Sequence, residues 1–88
     1  MPKIKFTRRF LKSFASLPKS VQEEIKKQIA MLAENPRYPS LQTKPVQGAM
    51  GIYEVRVDAD YRFTYERVAD DTLVLRVVGK DDDALKKP

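Results

Sequence analysis

Two arginines and one glutamate stand at alternate positions of two neighbouring segments, residues 52–57 and 61–66. Apolar and polar residues alternate along both segments, which predicts a β-hairpin that turns at residues 58–60. That turn places Arg56 opposite Arg62. Any register that keeps both apolar rows in the core also leaves Glu54 on the face of the arginines. Directly opposed like charges destabilise a sheet, so the pair favours an anion, and phosphate fits guanidinium groups in a bidentate manner.

A basic sheet face with one carboxylate has the groups that RNA phosphodiester cleavage needs. The arginines would stabilise charge that develops on the phosphate, and Glu54 would take the proton of the ribose 2′-hydroxyl. Lys80 and Asp81 follow the next strand at the same edge, and the loop residue Lys44 can swing toward this face. Plain nucleic-acid binding fits these residues equally well, and Glu54 and Glu66 could instead form cross-strand ion pairs with the arginines. The candidate catalytic residues are Glu54, Arg56, Arg62, Lys80 and Asp81, and the candidate RNA-binding residues are Lys44, Arg56, Arg62, Arg76 and Lys80.

The composition excludes several classes of protein. The 88 residues indicate a single domain that spans residues 1–88, which is too short for a multidomain enzyme. Cysteine and histidine do not occur, so disulfides, the usual zinc sites and imidazole catalysis are excluded. The run of aspartates at 81–83 is expected to be solvated rather than to bind a metal, because consecutive side chains fan out, and no cofactor is expected. No apolar run is long enough for a membrane span.

The charge is positive and unevenly distributed. The formal net charge is +5, and residues 1–20 contain six basic residues and no acidic residue. Such an excess favours a polyanionic partner, either nucleic acid or an acidic protein, although it also serves solubility alone.

The order of predicted elements gives the fold class. Residues 3–6 alternate as a short strand, and Thr7 is a plausible N-cap for a first helix. A second helix begins near Pro18 or Ser20 and ends at Asn35, before a proline. A long loop over residues 35–49 precedes three strands, the last at 73–78, which Gly79 ends. The prediction is an α+β fold of order β-α-α-β-β-β, with a helical hairpin packed on one face of a small antiparallel sheet and the other face open and polar. The phase of the strands places four aromatic residues in the core: Tyr53, Tyr61, Phe63 and Tyr65.

Four motifs occur in a characteristic order: Leu17-Pro18-Lys19, Ile52-Tyr53-Glu54-Val55-Arg56-Val57, Asp60-Tyr61-Arg62-Phe63-Thr64-Tyr65, and Leu75-Arg76-Val77-Val78-Gly79-Lys80. With them the chain resembles, over essentially its full length, the RelE/ParE superfamily of toxins from type II toxin–antitoxin systems. The resemblance implies one of two activities. Members that resemble RelE or YafQ cleave mRNA in the ribosomal A site without a metal, whereas ParE-type members poison DNA gyrase.

The resemblance also implies roles for individual residues. Arg62 matches the arginine that contacts the scissile phosphate, and Arg56 matches a basic residue of the preceding strand. Three positions depart from the pattern of the superfamily. Glu54 stands where RelE has a lysine, and Asp81 stands where nuclease branches usually have histidine or arginine. The tyrosine that RelE-like members have near the C-terminus has no counterpart in this chain.

We therefore expect a cytoplasmic, ribosome-dependent mRNA endonuclease that inhibits translation. The alternatives are a gyrase poison and an inactive relative that still binds antitoxin. The expected partners are a cognate antitoxin, the ribosome and mRNA, with no membrane and no direct DNA binding.

Overall fold

The computed structural model describes the backbone of residues 1–88 and all side chains except those of residues 81–83. Five strands and three α-helices follow one another along the chain, with a short 3₁₀ helix, Pro39–Leu41, after the second helix. Their bounds are β1 Lys3–Phe6, α1 Arg8–Ala15, α2 Lys19–Glu34, β2 Lys44–Pro45, β3 Ile52–Arg56, β4 Tyr61–Val68, β5 Thr72–Lys80 and α3 Asp81–Lys86.

The two long helices begin and end where local chemistry requires. The hydroxyl of Thr7 accepts a hydrogen bond from the backbone N–H of Phe10 at 3.0 Å, which confirms the predicted N-cap of α1. Pro18 is the residue before α2, and Ser20 lies inside its first turn, so the alternative start at Ser20 is wrong. Asn35 ends α2, and its N–H donates to the carbonyl of Met31 at 2.8 Å.

The sheet is mixed rather than wholly antiparallel. Its strand order is β1-β5-β4-β3-β2, and β1 pairs with β5 in parallel, from Lys3 opposite Thr72 to Phe6 opposite Leu75. The prediction of an antiparallel sheet is therefore wrong at this edge, although the α+β class and the order of the main elements are confirmed. Alternation in a sequence reports which face a side chain takes but not the direction of a neighbouring strand.

The strands also differ from the prediction at the end of β5 and within the predicted loop. Pairing of β5 continues past Gly79 to Lys80, which lies opposite Tyr61. Within the predicted loop, Lys44 and Pro45 form the edge strand β2, with Lys44 opposite Glu54. A proline tolerates this position because an edge strand leaves one side of its backbone unpaired.

The hydrophobic core lies between the helices and one face of the sheet. Phe10 of α1 meets Phe63 of β4 edge to face, with ring centroids 6.2 Å apart, and both side chains are buried. Tyr53 and Tyr65 stack with centroids 5.5 Å apart on the same face. The predicted core placement of the strand aromatics is therefore confirmed, with Tyr61 and Tyr53 only partly buried.

The second face of the sheet is covered at its centre, so the prediction of an open polar face is wrong there. Glu54, Thr64 and Val77 form one row across the strands and are at most 8% exposed. The helix α3 packs against β4 and β5, and its Ala84 is fully buried. A bulge between Thr64 and Tyr65 shifts the register with β5, so that Val77 lies opposite Thr64, Leu75 lies opposite Tyr65, and Arg76 is the extra residue between them.

Candidate functional site

The carboxylate of Glu54 lies between two cationic side chains at the edge of the second face. Its Oε1 atom is 3.7 Å from Nε of Arg62 and 3.5 Å from Nζ of Lys44. The side chains of Glu54 and Arg62 are 6% and 12% exposed, whereas that of Lys44 is 69% exposed. The side chain of Glu54 is therefore almost completely buried, and Lys44 of the edge strand β2 is its exposed partner.

The two hairpin arginines lie opposite each other, as the alternation predicts. Arg56 pairs with Arg62 in the register of β3 and β4, and Arg56 is exposed. Nη1 of Arg62 donates to the carbonyl of Asp58 at 2.8 Å, which ties the guanidinium to the hairpin turn. The turn is held by the carboxylate of Asp58, which accepts from the backbone N–H groups of Asp60 and Tyr61 at 2.8 Å each.

The structure contains cross-strand ion pairs on this face of the sheet. Glu54 pairs with Arg62, but Glu66 pairs with Arg76 of β5, at 2.9 Å, rather than with a hairpin arginine. Nε of Arg76 also donates to the carbonyl of Pro88 at 3.0 Å. Arg76, a predicted RNA-binding residue, is therefore held by a carboxylate and the C-terminal backbone.

The structure separates the end of β5 from the arginine row. Lys80 lies opposite Tyr61, whose row faces the helices, while Arg62 lies opposite Gly79. Lys80 is thus at the same end of the sheet as Arg62 but at a register position of the other face, where it is exposed. The side chain of Asp81, the fifth predicted catalytic residue, lies outside the described residues.

The four side chains at this edge of the second face have the groups that can bind and polarise a phosphate. Arg56 and Arg62 offer guanidinium groups, Lys44 adds an exposed ammonium, and Glu54 supplies a carboxylate that can accept a proton. Among the described residues, no cluster of three or more acidic, histidine or cysteine side chains is arranged to hold a metal ion. The group itself consists of three cationic side chains and one carboxylate.

Sequence reasoning did not single out a second polar cluster, on the helix-facing side of β3 and β4. A cavity of about 510 Å³ is lined there by residues of the 35–45 segment together with Tyr53, Tyr65, Arg67 and Leu73. Length alone marks the 35–49 segment as a candidate functional loop, but the position of Arg67 beside it depends on the β4–β5 register.

Two tyrosines near this cavity have shifted acidities. Burial raises the pKa of the Tyr65 phenol above its ordinary value. The pKa of Tyr38 is also raised, because its hydroxyl donates a 2.6 Å hydrogen bond to the carboxylate of Glu34 and the negative charge opposes ionisation. Both side chains therefore remain protonated hydrogen-bond donors through the neutral range.

None of the helices in the part of the chain that the structure describes is long and apolar enough to cross a membrane.

Comparison with known proteins places this fold in a known class. The isolated RelE toxin of E. coli is 26% identical, with a TM-score of 0.73, over 91% of this chain and 84% of that chain. The toxin–antitoxin complex DinJ–YafQ of E. coli matches at 20% identity and a TM-score of 0.77, over 96% of each chain. The RelB–RelE complex of Methanococcus jannaschii matches at 21% identity and a TM-score of 0.76, over 96% of this chain and 98% of that chain.

These matches define the class as a toxin of the RelE/ParE superfamily from a type II toxin–antitoxin system. The model of one family, the ParE toxin of the type II system parDE, matches residues 4–84. The chain belongs to that family. No protein with curated functional information matches it significantly.

Proposed function

We propose that this toxin is an endoribonuclease that cuts mRNA on the ribosome through the ribose 2′-hydroxyl. The observation that carries the proposal is the group formed by Lys44, Glu54 and Arg62, with Arg56 directly opposite Arg62. A carboxylate base and two guanidinium groups on adjacent strands are the parts that metal-independent phosphodiester cleavage requires.

The reaction follows from the positions of these side chains. Glu54 removes the proton of a 2′-hydroxyl, and the 2′-oxygen forms a bond to the neighbouring phosphorus. The bond from phosphorus to the 5′-oxygen breaks, which leaves a 2′,3′-cyclic phosphate, and the 5′-oxygen takes a proton from water. Arg56 and Arg62 stabilise the charge that develops on the phosphate oxygens.

The partners of this activity are an antitoxin, the ribosome and mRNA, which places the toxin in the cytoplasm. The similar structures include complexes of a toxin with its antitoxin. The basic N-terminal region and the positive net charge favour an acidic antitoxin segment.

Cleavage of mRNA on programmed ribosomes, mapped by primer extension, tests the proposal. Arg62→Ala is expected to lower the cleavage rate by about 10²–10³-fold, the usual effect of removing one transition-state donor. Arg8→Ala removes an exposed arginine of α1 and serves as the matched control. Circular dichroism establishes that both variants fold. Unchanged cleavage by folded Arg62→Ala would show that this arginine has no role in the reaction.

The position of Asp81 requires a separate comparison. We propose that an acidic side chain after Lys80 lowers but does not abolish cleavage, because it cannot contribute positive charge to the transition state. Asp81→His is then expected to cut faster than the natural chain. Cleavage by Asp81→His alone would instead identify the natural chain as an inactive relative that still binds antitoxin.

A gyrase poison is the second candidate function, because the matching family is that of the parDE toxin. Such a toxin would act through binding and would not need a base at Glu54. If neither the natural chain nor Asp81→His cuts mRNA, DNA breaks that accumulate in the presence of gyrase would support this alternative.

A further inference from the structure

A groove lies on the side of β3 and β4 opposite to the Glu54–Arg62 ion pair. Tyr53 alternates with Glu54 along β3, and Tyr65 and Arg67 alternate with Thr64 and Glu66 along β4, so the two groups face opposite sides of the sheet. The segment 35–45 forms the other wall. The volume of about 510 Å³ lies within the ordinary range for small-molecule sites, roughly 300–1,000 Å³.

The floor of the groove is a stacked pair of tyrosine rings with a guanidinium group beside it. The ring of Tyr53 lies on that of Tyr65 with an interplanar angle of 19°, and the guanidinium carbon of Arg67 is 5.9 Å from the centroid of Tyr53. Tyr65 is 2% exposed and cannot move without opening the core, whereas Tyr53 is only partly buried and Arg67 is exposed. A stacked tyrosine pair therefore lies beside an exposed guanidinium group, and a planar aromatic ligand can stack on such a surface.

The charges along the groove favour an anion. Its lining includes three cationic side chains, those of Arg37, Lys44 and Arg67, and one carboxylate, that of Asp71. Among the described side chains, neither Arg37 nor Arg67 has an ion-pair partner within 4 Å, and the partner of Lys44 is Glu54, on the other face. The two guanidinium groups that line the groove can therefore bind a negatively charged group.

We propose that this groove is a nucleotide-binding site, with the base stacked on the Tyr53–Arg67 surface and the phosphate held by Arg67 and Arg37. An acidic peptide would satisfy the guanidinium groups but leave the flat surface unused, whereas a nucleotide satisfies both features. The ligand is either a free nucleotide or one nucleotide of a single-stranded RNA. The proposal does not depend on the nuclease function, because none of its stacking or phosphate-binding residues belongs to the Glu54 site.

Titration of the ¹⁵N-labelled protein followed by amide chemical shifts locates binding directly, and a chain of 88 residues suits this method. The three probes are AMP, adenosine and inorganic phosphate, at low ionic strength because salt screens exposed charges. AMP is expected to shift the amides of residues 37, 38, 40–44, 53 and 65–67, and to bind more tightly than adenosine or phosphate alone. Equal binding of AMP and adenosine would overturn the phosphate contact, and shifts confined to residues 54, 56 and 62 would overturn the location.

Matched variants separate the groove from general charge. Arg67→Gln is expected to weaken AMP binding about tenfold, which corresponds to the loss of one hydrogen bond to a charged group. Arg8→Gln removes the same charge from an exposed position on α1 and is expected to leave AMP binding unchanged. Equal weakening by the two substitutions would overturn the proposal. Retained dispersion of the amide spectrum shows that each variant is folded.

A tetranucleotide RNA and a tetraglutamate peptide complete the test. Tighter binding of the tetranucleotide than of AMP, with the same sensitivity to Arg67→Gln, assigns the site to single-stranded RNA. Equal affinity assigns it to a free nucleotide, and both results support the site. Binding of the peptide without binding of AMP would overturn the nucleotide proposal and make the groove a surface for an acidic peptide.

Discussion

Substitutions at Glu54 and Arg62 are expected to reveal a stronger coupling than any exposed ion pair of this protein. At 3.7 Å and an effective dielectric constant of 20, the gross attraction between unit charges is about 4.5 kcal/mol. The cost of removing both charges from water offsets much of this attraction. We expect a net coupling of about 1–3 kcal/mol from a double-mutant cycle of Glu54→Gln and Arg62→Gln.

The chain contains a matched control at the same distance. Lys26 and Glu23 of α2 are also 3.7 Å apart, but their side chains are 61% and 55% exposed. Water screens this pair, so its coupling is expected to be only about 0.2–0.5 kcal/mol. The two pairs have equal length and differ strongly in burial, so a larger coupling for Arg62 and Glu54 would support burial as a cause.

The ion pair between Lys44 and Glu54 gives a second test of the role of burial. Lys44 is closer to Glu54 than Arg62 is, at 3.5 Å, but it is largely exposed. In bulk water the gross attraction at that distance is about 1.2 kcal/mol, before the entropy of holding the side chain is subtracted. The Lys44–Glu54 coupling is therefore expected to be smaller than the Arg62–Glu54 coupling.

Urea denaturation followed by circular dichroism measures these energies. With a slope of about 1–3 kcal/mol per molar urea for small proteins, the expected differences move the transition midpoint measurably. Arg62→Gln by itself is expected to cost more than the coupling, because it also removes the bond to the carbonyl of Asp58. A Lys26–Glu23 or Lys44–Glu54 coupling as large as that of Arg62–Glu54 would refute the role assigned to burial.

Three further outcomes follow from single contacts. Thr7→Ala is expected to cost about 1–2 kcal/mol in urea denaturation, because it removes the N-cap of α1 and contacts at 2.9 and 3.0 Å to the carbonyls of Leu75 and Arg76; Thr7→Ser, which keeps the hydroxyl, should recover most of that loss. Burial raises the folded-state pKa of Tyr65 above the unfolded value of about 10, so its contribution to stability is complete below that pH and falls as pH rises toward the folded pKa. In alkaline denaturation Tyr65→Phe should therefore unfold less steeply with pH than the natural chain. Phe63→Ala leaves a cavity in the core and is expected to cost about 3–5 kcal/mol; a loss below 1 kcal/mol would contradict the packing described here.

Side chains alternate between the two faces of a strand, and this alternation made part of the site predictable from the sequence. Alternation alone assigns Glu54, Arg56 and Arg62 to one face, and the position of the turn makes the two arginines direct partners. The same alternation places Phe63 and Tyr65 in the core. These face assignments depend only on residues close in sequence, so they can be predicted without the tertiary structure.

Tertiary contacts decided whether that face is open. α3 covers the centre of the second face, and the buried Ala84 faces residues that precede it by many positions. The bulge beside Thr64 assigned Lys80, opposite Tyr61, to the row that faces the helices. A single extra residue in a strand moves the side chains that follow it to the opposite face of the sheet, and the local sequence pattern does not predict its position.

The sequence by itself determined the α+β class, the helical hairpin, the arginine pair and the resemblance to a toxin superfamily. Only the tertiary structure decided the parallel pairing of β1 with β5, the capture of Glu54 by Lys44, and the groove at Arg67. The physical reason is that periodicity and capping act within a few residues, whereas strand direction, burial of a charge and the walls of a cavity arise from segments far apart in the chain.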